Sequence, residues 1–281
     1  MPVRDKTLLR RLVDSFYSSE ERERFRALPS RKNEYGYDSF GLNREDLKIG
    51  LIAARFMFYT YFRGKAFGVE NIPAGRVMLV ANHSGQIPFD ALGIGAATFF
   101  EGTPPRVPRS MLDRFVPTLP IVGTLFARFG QVLGTIENCQ RLLGDEECIL
   151  VFPEGTRGIS KPFTQRYQLA DFGLGFLRLA LASKAPIVPV AVIGAEEQAP
   201  AFNVAPLARL FGMPSFPLMP FPPFLPVVPL PSRYRIYFGE PRYFAGDADD
   251  DDEVIADMAR QVKLSIESMI RVGRKARGRG L

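Results

Sequence analysis

His83 is the one histidine among 281 residues, and Asp90 follows it seven positions later in the stretch NHSGQIPFD. An imidazole and a carboxylate at that separation can meet through a loop. The carboxylate would accept from Nδ1, fix the tautomer and stabilise the imidazolium, leaving Nε2 to take a proton from a hydroxyl. A blander arrangement uses the same residues: a partly buried histidine satisfied by backbone, with Asp90 capping the helix that begins FDALGIGAA. Placement favours the chemistry, because NHSGQIPFD directly follows the apolar run VMLVA and is set among Gly and Pro.

A second polar cluster, PEGTRG, follows the apolar run CILVF and supplies Glu154, Gly155, Thr156 and Arg157. Arg157 with turn amides suits an anion or a polar headgroup; a polar turn with a surface ion pair is the alternative. In open parallel sheets, binding groups collect just outside the carboxyl ends of strands. Both clusters are therefore expected to face one crevice.

The elements that must place them read as α/β. Short β-rich runs occur at 77–81, 148–152, 187–193 and 234–238, with helical patterns at 137–143 and 173–183 between them. Strands alternating with helices predict a mixed, largely parallel sheet covered by helices. Leu8, Leu12 and Phe16, with Leu9, Val13 and Tyr17, recur at i+4 and predict an amphipathic helix over 5–28. A second helix is expected over 44–61, capped by Asn43, with Glu45 and Asp46 at its positive end. A C-terminal helix follows DADDDD, and RVGRKARGRGL is expected to be a frayed tail. The organisation expected is a helical, membrane-facing or packing segment over 1–64, a central domain over 65–245, and a C-terminal helix with basic tail over 246–281.

Composition narrows the class. A net charge of +6 fits an anionic partner, but no compact basic patch with interleaved aromatics appears, so nucleic acid is not an expected partner. One histidine excludes an HExxH zinc helix, and no GxSxG elbow or phosphate-binding GxxxxGK[ST] loop occurs. Cys139 and Cys148 have no metal or redox spacing and suit buried positions in a reducing compartment; no metal is expected. The N-terminus has no apolar core of a secretory signal. The uncharged stretch Leu210–Ser232 is long enough to span a bilayer but holds eight prolines, which would leave carbonyls unsatisfied in lipid. It is expected either to form an apolar loop dipping into the interface or to cover the core. Arg271, Arg274, Lys275, Arg277 and Arg279 are expected to add attraction to anionic lipid.

NHSGQIPFD, then FPEGTRG some seventy residues on, then PIVPVAVIG resemble, in that order, the motifs of the glycerolipid acyltransferases, over roughly residues 65–240. The resemblance implies transfer of an acyl group from acyl-CoA or acyl carrier protein, as co-substrate and without a further cofactor, to a lipid hydroxyl. His83 would be the general base, Asp90 its orienting partner, and Glu154, Gly155, Thr156 and Arg157 the acceptor-binding turn; the sequence names no oxyanion donors. It also implies a peripheral protein on the cytoplasmic face of a membrane, with lipids as partners.

Three departures from the family pattern stand out. Six residues separate His83 from Asp90 where the family has four, and Pro88 stands where its Asp would. Thr135 and Ile136 occupy the place of an expected cation, and Gly173 that of an expected Lys. A charge-assisted contact to phosphate contributes about 1.5–3 kcal/mol, so two lost contacts weaken phosphate binding by orders of magnitude. A neutral acceptor such as mono- or diacylglycerol is expected over a lysophosphatidate, although Arg157, Lys161 and Arg166 offer cations nearby; the stretched His83–Asp90 spacing leaves a catalytically silent lipid-binding member of the fold as a further alternative.

Overall fold

The computed structural model describes residues 3–277 apart from 30–31, 84–87, 160, 162, 199–201, 204–205, 207–208, 210–216 and 219–228. Seven strands form one sheet: β1 (Lys65–Phe67), β2 (Val77–Ala81), β3 (Arg109–Leu112), β4 (Val132–Leu133), β5 (Cys148–Val151), β6 (Ile187–Ile193) and β9 (Arg235–Phe238). A separate two-stranded ribbon pairs β7 (Phe202–Asn203) with β8 (Pro217–Leu218). The sheet order is β1-β9-β6-β2-β5-β3-β4, and its one antiparallel pairing joins β6 to β9. The largely parallel, mixed sheet expected from the sequence is thus the observed one.

Parallel strands covered on both faces read as continuous apolar runs. VMLVA in β2 and IVPVAVI in β6 are buried at every position, with Leu79 opposite Leu150 on one side and Val188 on the other. Alternate residues divide between two layers. Met78 and Val80 join Cys139, Leu142, Leu177 and Val262 from the helices α6 (Ile136–Gly144), α8 (Gly175–Ser183) and α9 (Asp252–Arg277). Val77, Leu79 and Ala81 join Phe58, Phe62, Ile94 and Ala97 on the opposite face, where α4 (Phe89–Phe100) lies. Each Val, Leu, Ile, Met or Phe among them, fully buried, contributes about 1.5–3 kcal/mol.

The N-terminal segment differs from the single helix expected. It is two helices, α1 (Val3–Ser15) and α2 (Ser19–Ala27), because Ser18 and Glu21 form a capping box that starts a new helix. Tyr17, Phe25 and Leu28 pack with Leu47 and Leu51 of α3 (Arg44–Arg55) and with Phe99. Leu8, Leu12 and Phe16 stand outward, each more than half exposed. Asn43 caps α3 as expected, accepting from the Glu45 and Asp46 amides at 3.0 and 3.1 Å. The helix expected to reach 61 becomes a π-helical turn at Phe56–Tyr61.

A second correction concerns the C-terminus, where α9 continues through Arg277 and residues 271–277 are no frayed tail. Arg277 bonds both oxygens of Glu197 at 2.5 Å, and Arg274 lies over the Tyr167 ring at 4.6 Å. Arg277 is thus held against the protein, whereas Arg271, Arg274 and Lys275 are exposed. Arg279 and most of Leu210–Ser232 lie outside the described residues. Among the described residues, no helix is long and apolar enough to cross a membrane.

Candidate functional site

His83 stands two residues beyond β2, and Asp90 is the second residue of α4, just after Pro88. Asn82, between strand and histidine, is fully buried. Its side chain imitates a strand residue: Nδ2 donates to the Val192 carbonyl at 3.0 Å, and Oδ1 accepts the Val192 amide at 2.7 Å. That clasp extends the β2–β6 pairing by one residue and fixes where the chain leaves the sheet. A buried Asn needs such partners.

The imidazole then meets its carboxylate. His83 Nδ1 lies 2.7 Å from Asp90 Oδ2, and the Ala91 amide donates to Asp90 Oδ1 at 2.7 Å. The Asp90 side chain is wholly buried and that of His83 is 16% exposed. A carboxylate so placed needs these partners, because an unpaired buried charge is costly. With Nδ1 committed to Asp90, Nε2 is the nitrogen left to exchange a proton. The Phe152 ring, immediately after β5, stacks on the imidazole at 4.2 Å between centroids. Behind Asp90 stands Tyr234, buried and stacked on Phe62. Burial first, and then the Asp90 carboxylate, push its hydroxyl pKa well up.

The PEGTRG turn reaches the same place. Glu154, whose side chain is fully buried, accepts the His83 amide at 3.0 Å through Oε1. Its Oε2 accepts from the Ala170 amide at 2.7 Å and from Lys161 Nζ at 3.1 Å. Lys161 also donates to the Gln168 carbonyl at 2.9 Å. Its ammonium is 3.3 Å from Glu196 Oε1, a charge contact short of hydrogen-bond geometry. Burial raises the Glu196 pKa, against the pull of Lys161 and of the Tyr167 amide that bonds its other oxygen. Gly155 takes φ +57°, a left-handed conformation that costs glycine least. Gly158 packs directly on the site: a Cβ there would sit 2.9 Å from His83 Cβ and 3.0 Å from Glu154 Cβ.

The structure therefore brings together His83, Asp90 and Glu154, with Glu154 facing inward as a support of the histidine backbone. Gly155 shapes the turn. Thr156 opens the short helix α7 (Thr156–Ile159); its side chain lies outside the described set. Arg157 is exposed, and its guanidinium donates to the Asp171 carbonyl at 3.1 Å. Asn82, Phe152, Gly158 and Glu196 were not among the residues singled out in the sequence. Only Asn82 carried a signal, as a polar residue ending a wholly apolar strand. Among the described residues no group of three or more His, Cys, Asp or Glu is placed to hold a metal ion.

An imidazole–carboxylate pair outside the ends of two central parallel strands is equipment for moving a proton, and residues 65–193 match the family model described as Acyltransferase. An uncharacterized protein of Mycobacterium tuberculosis is 41% identical over 248 residues, covering 84% of this chain and 69% of that protein. A Mycoplasma pneumoniae protein named as a probable 1-acyl-sn-glycerol-3-phosphate acyltransferase is 25% identical over 154 residues, 52% of this chain and 55% of that one. The crystal structure of the 1-acyl-sn-glycerophosphate (LPA) acyltransferase PlsC from Thermotoga maritima shares the fold. Its TM-score is 0.55 at 18% identity, over 99% of each chain. Residues 65–193 thus form a domain of the acyltransferase family, of which the chain is a divergent member.

Proposed function

We propose that the protein transfers a fatty acyl group from a thioester, acyl-CoA or acyl carrier protein, to the hydroxyl of a neutral glycerolipid such as mono- or diacylglycerol. The observation that carries this reading is the 2.7 Å contact between His83 Nδ1 and Asp90 Oδ2. His83 Nε2 takes the proton of the acceptor hydroxyl as its oxygen attacks the thioester carbonyl. Asp90 stabilises the imidazolium so formed. The C–S bond of the tetrahedral intermediate then breaks, and the departing thiolate takes the proton back from Nε2. No covalent acyl-enzyme is needed; holding thioester and hydroxyl together supplies much of the rate.

The neutral acceptor rests on the cations. Lys161 is committed to Glu154, Glu196 and the Gln168 carbonyl, Arg157 to Asp171, and Arg166 lies over the Phe163 ring at 4.7 Å. Thr135 caps α6, accepting the Asn138 amide at 3.2 Å, and Ile136 beside it is 67% exposed. Gly173 donates its amide to the Pro153 carbonyl at 3.0 Å, next to the Glu154 turn but without a side chain. A second reading, a lysophosphatidate acyltransferase, draws on the name carried by the Mycoplasma relative. Membrane association, on this reading peripheral and on the cytoplasmic face, is favoured by the outward row Leu8, Leu12 and Phe16.

The test is thiol release from acyl-CoA by purified protein in mixed micelles, with lysophosphatidate, monoacylglycerol and diacylglycerol as acceptors. Release that depends on a neutral acceptor and vanishes in His83→Ala is the expected result. Preference for lysophosphatidate would favour the second reading, and activity surviving His83→Ala would remove the mechanism.

A further inference from the structure

We infer that Lys161 is a positioning residue for His83, acting through Glu154, and that its ammonium is what allows Glu154 and Glu196 to occupy one buried site together. Its kinetic consequence rests on the reading of His83 as the base; its structural consequence does not.

The geometry is a short chain of contacts. The His83 amide donates to Glu154 Oε1 at 3.0 Å, Lys161 donates to Glu154 Oε2 at 3.1 Å, and the same ammonium is 3.3 Å from Glu196 Oε1. The side chains of Glu154, Glu196 and Lys161 are 0%, 7% and 10% exposed. Two carboxylates bridged by one cation carry one net negative charge. Without the cation they would carry two in a water-poor place, and like-charge repulsion would push the two side chains apart.

Displacement is not harmless for the site. Glu154 accepts from two amides as well as from Lys161, and a carboxylate pushed aside by its neighbour no longer meets those amides in line. The His83 amide would then lose its anchor, on a segment where the imidazole must meet Asp90 within hydrogen-bond reach. Misplacement of a reacting group by about 1 Å can cost about a hundredfold in rate. Lys161 touches no reacting atom in this scheme; it holds the charge balance that keeps Glu154 in line with that amide.

The test reads the His83 backbone amide by NMR in the substrate-free protein, and turnover of long-chain acyl-CoA with diacylglycerol in mixed micelles. Lys161→Met should shift the amide upfield and speed its exchange. It should lower kcat about tenfold or more while KM for the thioester stays within about threefold. Adding Glu196→Gln to that variant removes the surplus carboxylate and should restore the amide position and most of kcat. Lys161→Arg should keep both. A lysine that merely fills space predicts a double variant at least as impaired as the single one; that result overturns the inference, as does an unmoved amide in Lys161→Met. If Lys161→Met does not fold, a folded double variant supports the inference and an unfolded one overturns it. If wild-type protein acylates no acceptor, the proposed function falls, and the amide measurements still decide this point.

Discussion

His83 Nδ1 and Asp90 Oδ2 are 2.7 Å apart, although six residues lie between them and the second group belongs to a helix. Asp90 can reach because α4 begins just after Pro88 and presents its first turn to the end of β2. The expected consequence is a strict dependence on both groups. His83→Ala and Asp90→Asn should each lower kcat about 10²- to 10⁴-fold with small changes in KM, measured by thiol release. An Asp90→Asn enzyme with wild-type kcat would show that the carboxylate does not orient the base.

Gly158 has no space for a side chain. A methyl group there would press on His83 Cβ and Glu154 Cβ at about 3 Å, two residues whose own positions are fixed by hydrogen bonds. Gly158→Ala should cost about 1–3 kcal/mol of stability, read from the urea midpoint, and should depress turnover as well. Full stability with full activity would mean that the turn yields freely.

Asn82 tests the clasp on β6. Asn82→Ala strands the buried Val192 amide and carbonyl, at about 1–3 kcal/mol for each. Asn82→Asp keeps an acceptor for the amide but sets a carboxylate against the carbonyl, and should rescue no more than part of the loss. Chemical denaturation of the three proteins gives the comparison, and a loss below about 0.5 kcal/mol in Asn82→Ala would count against the clasp.

Glu196 gives a pH signature. Burial raises its pKa in the folded protein, so the fold holds that proton more tightly than the unfolded chain does. Such a group contributes stability below its unfolded value, and that contribution is lost as pH rises through the folded value. Glu196→Gln keeps an oxygen for the Tyr167 amide and removes the titration. The stability difference, wild type minus variant, should therefore fall as pH is raised from about 4 to about 8. A flat difference would mean that the carboxyl is not perturbed.

The two long central strands were legible to the residue, because a run buried on both faces has no polar interruption: 77–81 and 187–193 match β2 and β6. β1, β3 and β4, of two to four residues, were not foreseen, since so short a span shows no periodicity and owes its place to neighbours. The break at Ser18 was readable as SSEE, a capping signature, yet the apolar spacing ran through it. The tail was misread for another reason. Its Gly and Arg content suggests fraying, but Arg277 finds Glu197 and Arg274 finds Tyr167, partners distant in sequence. Within the site, the residue types of His83, Asp90 and Glu154 were visible. That Glu154 points into the protein, joined there by Lys161 and Glu196, depends on tertiary packing that no local pattern encodes.

The clasp between Asn82 and Val192 spans 110 positions, and it has a consequence for the order in which a ribosome makes this chain. When residue 83 emerges, nothing yet exists to hold it: the strand that will secure Asn82 is still untranslated, and so are Glu154 and Lys161. Every anchor on the histidine backbone arrives from downstream, the last of them more than a hundred codons later. A prematurely terminated chain would carry the histidine without the frame that aims it. Competence for chemistry in this way waits on residues made long after the histidine itself.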